Sequence, residues 1–146
     1  MLIGTIYDMQ KRYDLSEQYY REALAVDPDF APAANNLAYL LAIQDKDIDV
    51  ALGYAQQAKE KLPNDPGVMD TLGWIYYKKG FYDSAISELS ESVKLLPENP
   101  TVQFHLGMAY YKKGENAKAK VQLEKALSLS EEFDGADEAR KTLAEL

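Results

Sequence analysis

His105 is the only histidine in the chain, and cysteine is absent. Any histidine-dependent catalysis hangs on that one imidazole, and disulfides, thiolate metal sites and cysteine nucleophiles are excluded. No carboxylate stands beside His105 at a neighbouring position on the same face of its own helix, so an oriented general base is not expected there. One histidine also makes a metal centre unexpected. Asp45, Asp47 and Asp49 alternate as calcium ligands do, but the glycine and terminal glutamate of a calcium loop are missing, so they read as a polar turn. Lys78-Lys79-Gly80 and Lys112-Lys113-Gly114 resemble basic motifs, yet they fall where helices end and the backbone dipole is negative. No nucleophile–base set remains, and the chain reads as non-enzymatic, without cofactor or metal.

Composition narrows the partners. The 146 residues hold 16 basic and 24 acidic side chains, for a net charge of −8. Phosphate neutralisation needs clustered Lys and Arg in excess, so nucleic acid is not the expected partner. No apolar run approaches the roughly 20 residues that span a bilayer, and no basic-then-apolar leader opens the sequence. With 47% hydrophobic residues there is room for one domain or a short array of repeats.

The positions that must carry any function belong to a repeat. Pro28, Pro63 and Pro97 are spaced by 35 and 34 residues, as are Leu37, Leu72 and Leu106. Gly73 and Gly107 lie 34 apart, as do Ala51, Ala85 and Ala119. The one extra residue falls between Leu41 and Ala51, in the polar stretch Gln44-Asp45-Lys46-Asp47, where an insertion costs little. Each unit reads as two helices. From Pro66 to Lys79 the residues Met69, Leu72, Gly73, Ile75 and Tyr76 keep helical spacing, and Gly80 supplies the stop. A second helix from Tyr82 to Leu95 aligns Ala85, Leu89, Ser92 and Leu96, and Pro97 blocks its continuation. Alanine at 51, 85 and 119 marks a close crossing of the two helices. A hairpin with an apolar face on each side is stable only when stacked.

The run Leu72-Gly73, Tyr76, Gly80, Tyr82, Ala85, Leu89 and Pro97 resembles the tetratricopeptide repeat (TPR), a 34-residue helix–turn–helix. The copy Leu106-Gly107, Tyr110, Gly114, Ala119, Leu123 and Ala126 matches equally, while Leu37-Ala38 with Ala55 and Pro63, and Ile3-Gly4 with Ser16 and Tyr20, are more degenerate. The resemblance implies an all-α right-handed solenoid of antiparallel hairpins with nine helices. Its expected units are a truncated 1–30, then 31–65, 66–99 and 100–133, closed by a capping helix over 134–146. Ala136, Ala139, Leu143 and Leu146 form the apolar stripe of that cap, and Asp137 and Glu138 favour its first turn. Against the family's register the first helix is cut short, which reads as a fragment of a longer protein with Leu2, Ile3 and Ile6 on an uncovered edge.

In this family the second, fifth, ninth, twelfth and thirteenth positions of the unit line a concave groove for extended peptides or partner helices. At about 100° per residue they gather opposite the core arc. Carried onto this sequence, the expected groove residues are Asn35, Tyr39, Asp70, Trp74, Tyr77, Lys78, Phe104, Met108, Tyr111 and Lys112. Tyr39, Trp74 and Met108 share the ninth position and suggest an exposed apolar strip. With Asp8 and Asp70 as its acids against Lys78 and Lys112, the strip is expected to be near neutral. The clamp that holds a C-terminal carboxylate in Hsp70- and Hsp90-binding members needs cations here. The matching positions hold Asn35, Tyr39, Thr71, Thr101 and His105 in one register, and Met1, Thr5, Asn36, Gly67 and Thr71 in the other. The clamp is absent.

The runs Asp70-Thr71-Leu72-Gly73-Trp74-Ile75, Phe104-His105-Leu106-Gly107 and Ala136-Asp137-Glu138-Ala139 also resemble repeats of bacterial lipoproteins in exopolysaccharide and exosortase systems. That implies a bacterial origin, in cytoplasm or periplasm. The expected function is a protein–protein interaction scaffold taking a partner peptide or helix in its groove. The alternative is a self-assembling scaffold that oligomerises through Leu2, Ile3 and Ile6.

Overall fold

The computed structural model describes residues 12–146. Among them eight helices and no strand occur: α1 (Tyr13–Val26), α2 (Ala31–Ile43), α3 (Ile48–Lys61), α4 (Pro66–Lys78), α5 (Tyr82–Leu95), α6 (Pro100–Lys113), α7 (Asn116–Leu129) and α8 (Ala136–Glu145). The ninth expected helix, like Leu2, Ile3 and Ile6, lies outside the described residues. Helices α2 and α3, α4 and α5, and α6 and α7 pack as hairpins, and each hairpin also packs on the next.

Local chemistry sets the boundaries. Asp65 accepts from the Gly67 and Val68 amides, and Asn99 from that of Val102, so both satisfy donors that a helix start leaves open. Pro66 and Pro100 follow as first helical residues, where the missing N–H is harmless. Gly80 and Gly114 end their helices at φ +83° and +91°. The α2–α3 turn has no glycine. It takes up its extra residue with two left-handed aspartates, Asp45 at φ 53° and Asp47 at φ 45°, a conformation that Asp tolerates better than most residues.

Within a hairpin the helices meet at small residues. Ala51, Ala85 and Ala119 are fully buried, as is Ser16 in the same column of α1. A Cβ at Gly73 would stand 2.6 Å from Leu89 Cγ, and one at Gly107 would stand 2.7 Å from Leu123 Cδ2. In α2 and α3 the corresponding residues are Ala38 and Ala55, both fully buried. Glycine thus faces leucine twice and alanine faces alanine once, so the local volume is kept.

Between hairpins the contacts mix apolar burial with cation–acid links. Lys113 reaches Asp83 at 2.6 Å, and Lys79 pairs with Asp49 in the same column one unit earlier. Lys59 reaches Glu88 at 2.7 Å; within the α4–α5 hairpin, Ser92 donates to the Pro66 carbonyl at 2.7 Å. The last helix departs from its expected stripe: Thr142 is buried with Ala136 and Ala139, while Leu146 is 38% exposed.

The crossing supplies a stability test. Gly73→Ala should cost about 1–3 kcal/mol through overpacking, and Leu89→Ala about 2–5 kcal/mol through the void it leaves. Combined, they reproduce the alanine pair of α2 and α3, and the double variant should be markedly less destabilised than the sum. Denaturant midpoints for the four chains check this. Additivity to within about 0.5 kcal/mol would mean that the two residues do not share one space.

Candidate functional site

The first helices α2, α4 and α6, followed by α8, stand side by side and form one wall of the solenoid. Its centre is aromatic and tightly packed. Trp74 of α4 stacks on Tyr77 one turn later, with centroids 4.3 Å apart and planes 7° apart. On its other side the ring of His105 from α6 stacks at 4.0 Å and 20°. Tyr39 of α2 comes within 6.4 Å of His105, so the wall curves enough for helices two places apart to meet across Trp74.

The imidazole is held by a carboxylate from another helix. His105 Nδ1 lies 2.7 Å from Asp70 Oδ1, and the side chains are only 3% and 13% exposed. Within the sequence Asp70 and His105 are 35 residues apart, one unit plus one residue. A search of the faces of a single helix could not bring them together; adding one period to each polar residue of the wall could have. Among the described residues no hydroxyl hydrogen-bonds the remaining ring nitrogen, and no group of three or more acids or histidines is placed to hold a metal ion. Two polar groups that would be costly to bury alone satisfy one another here.

The expected groove residues divide into two sets. Trp74, Phe104 and Met108 are 6%, 3% and 2% exposed, and Asp70 is buried as well. They do not form an open strip, because Trp74 at the ninth position meets Phe104 and His105, the fifth and sixth positions of the next first helix. Asn35, Tyr39, Tyr77, Lys78 and Tyr111 are half-buried, and Lys112 is exposed. Lys78 extends over the Trp74 ring at 5.5 Å and reaches Asp45 at 2.9 Å, while Lys112 lies 5.8 Å from the Tyr111 ring.

The wall is also more acidic than its own helices suggest. Burial, and then the carboxylates of Asp70 and Asp134, push the Tyr39 hydroxyl far above the ordinary phenol range. Burial and then Glu138 do the same to Tyr77. The Tyr111 hydroxyl donates to Glu145 at 3.0 Å, which raises it too. The last segment therefore adds three carboxylates to a strip expected to be near neutral.

Antiparallel pairs repeating at 34 residues make this an α-solenoid scaffold. Family models described as tetratricopeptide repeat match residues 2–66 and 100–133, and a TPR repeat model matches 73–114. The chain belongs to the tetratricopeptide repeat family. A TPR repeat-containing protein of Pseudomonas aeruginosa is 37% identical over 73 residues, covering 49% of this chain and 12% of that protein. This chain thus matches a small part of that bacterial relative's length. Among solved structures, a thermophilic TPR protein of Thermus thermophilus, TTC0263, superposes with a TM-score of 0.79 at 24% identity, over 99% of this chain and 78% of its own. MamA gives 0.71 at 20% identity, over 99% and 92%. YrrB, described as a TPR protein with an unusual peptide-binding site, gives 0.72 at 23% identity, over 94% and 71%. These likenesses establish the right-handed TPR solenoid fold.

The Asp70–His105 bond yields a direct test. Asp70→Ala leaves a buried imidazole without its partner and should cost about 1–3 kcal/mol. Adding His105→Phe keeps a ring against Trp74 and removes the orphaned polar group, so the double variant should be more stable than Asp70→Ala alone. Urea unfolding followed by Trp74 fluorescence checks both. A loss below about 0.5 kcal/mol for Asp70→Ala would show that the bond does not hold the wall.

Proposed function

We propose that this chain is a non-enzymatic interaction module that binds a peptide or helix of a partner protein along the wall of first helices. The TPR solenoid is in general a protein–protein interaction scaffold, and the reading narrows that role to one surface. In it the units 31–65, 66–99 and 100–133 present Asn35, Tyr39, Tyr77, Lys78, Tyr111 and Lys112 to the partner. Asp70, Trp74, Phe104 and Met108 lie beneath and hold those side chains in place. The segments 1–30 and 134–146 flank the binding units.

The observation that carries this reading is the half-buried tyrosine set. Tyr39, Tyr77 and Tyr111 come from three successive units and share one wall. Two of them rest on the buried Trp74–His105 layer. Rigid phenol rings offer contact area at small entropic cost, and tyrosine is enriched at interface hot spots for that reason. Among the described residues no helix is long and apolar enough to cross a membrane.

Affinity capture from a bacterial lysate tests the surface, comparing the unaltered chain with Tyr39→Ala/Tyr77→Ala/Tyr111→Ala and with Val121→Ala, a change at an exposed site on α7. Proteins retained by the unaltered chain and by Val121→Ala should be lost from the tyrosine variant by a factor of about 10 or more, as removal of hot-spot side chains implies. An unchanged set on a folded tyrosine variant would rule out this wall as the binding surface.

A further inference from the structure

The chain after α7 breaks the repeat pattern. At the two preceding boundaries the residue before the first helix is Asp65 or Asn99, whose side chain caps the helix it starts. In the same column the third boundary holds Phe133, whose side chain has no acceptor to offer, and α8 begins only at Ala136, after Gly135 at φ +104°. Phe133 lies on Phe104 instead, with ring centroids 5.9 Å apart. Gly135 presses against the same ring, where a Cβ would stand 2.4 Å from Phe104 Cε2. Farther along, Thr142 donates to the Met108 sulfur at 3.7 Å, and Glu145 holds the Tyr111 hydroxyl. The last segment therefore sits on Phe104, Met108 and Tyr111.

Apart from Phe133 and the partly buried Leu143, little apolar surface holds this cover down. Helix α8 buries Ala136, Ala139 and Thr142, whereas α5 and α7 bury Leu89 and Leu123. An element with little buried apolar area opens before the rest of a structure does.

We propose that residues 130–146 are a releasable lid, and that the wall beneath takes a partner helix of the lid's own chemistry. Such a helix has small residues at every third position, an aromatic just ahead of its first turn and a carboxylate placed to meet Tyr111. This proposal rests on the wall of first helices being the binding surface and names what its C-terminal end accepts.

The probe is a dye-labelled synthetic peptide of residues 130–146, titrated by fluorescence anisotropy against the intact chain and against full-length Phe133→Ala. Apparent affinity scales with the fraction of open wall, so the variant should bind about tenfold more tightly or better. Equal affinity for both chains, or binding to neither, overturns the proposal. Should Phe133→Ala lose its helical circular dichroism, hydrogen exchange on the unaltered chain decides. Amides of Ala139–Leu143 should then exchange about 100-fold faster than those of Leu72–Ile75, because the lid opens alone. Equal rates overturn it. Neither measurement uses a foreign partner, so failure of the lid is distinguishable from failure of the tyrosine surface.

Discussion

Two helices can lie close enough to share one row of side chains only if one of them gives up volume at the crossing. Here Gly73 and Gly107 give up theirs entirely to Leu89 and Leu123, and alanines line the other side at 85 and 119. That contact fixes the rotational phase of each first helix, because the residue without a side chain must face its partner. Once the phase is fixed, the opposite arc of each first helix faces the wall, where its neighbours are the first helices of the adjoining units. The wall that carries the tyrosines is thus a consequence of the crossing. The same argument covers α2 and α3, where Ala38 and Ala55 divide the volume evenly.

A wall made this way has a register problem. Apolar rings tolerate sliding along one another, and Trp74, Tyr77, Phe104 and Met108 could pack in several offsets. The bond between Asp70 and His105 does not tolerate it. Both groups are buried, so a shift of either helix would leave two polar groups without partners in a low-dielectric interior. The pair therefore discriminates between arrangements more than it stabilises any of them, a role for which buried polar groups are well suited. Stacking of the imidazole on Trp74 places that discrimination at the centre of the wall.

The sequence exposes what is periodic and local. Prolines and glycines at matching columns locate the helix ends, and the placing of the extra residue between Leu41 and Ala51 anticipates the two left-handed aspartates of that turn. Helical spacing also identifies which side of each first helix lies away from its hairpin partner. It does not tell whether the neighbouring copy covers that side, since this depends on the curvature accumulated from unit to unit. Trp74, Phe104 and Met108 looked available for that reason, though in the fold they are packed. The pairing of Asp70 with His105 escaped notice for a related reason, because their helices become neighbours only when the stack forms. Thr142 took a buried place expected for Leu146 since its column continues that of Met108.

Charge on the finished wall follows from the same stacking. The phenols of Tyr39 and Tyr77 are raised by burial first and by carboxylates second, and therefore stay protonated throughout the neutral range. The hydroxyls of Tyr39, Tyr77 and Tyr111 each lie near a carboxylate of the last segment, with Lys78 drawn aside to Asp45. With the last segment in place its Asp134 and Glu138 repel a carboxylate-rich partner, and on its release those two acids leave the wall with it. The overall charge of −8 adds repulsion of the same sign, though only to about 8–10 Å at physiological salt. The electrostatics of this wall thus depend on the carboxylates that the last segment adds to it, and so on a part of the chain that lies outside the regular repeats.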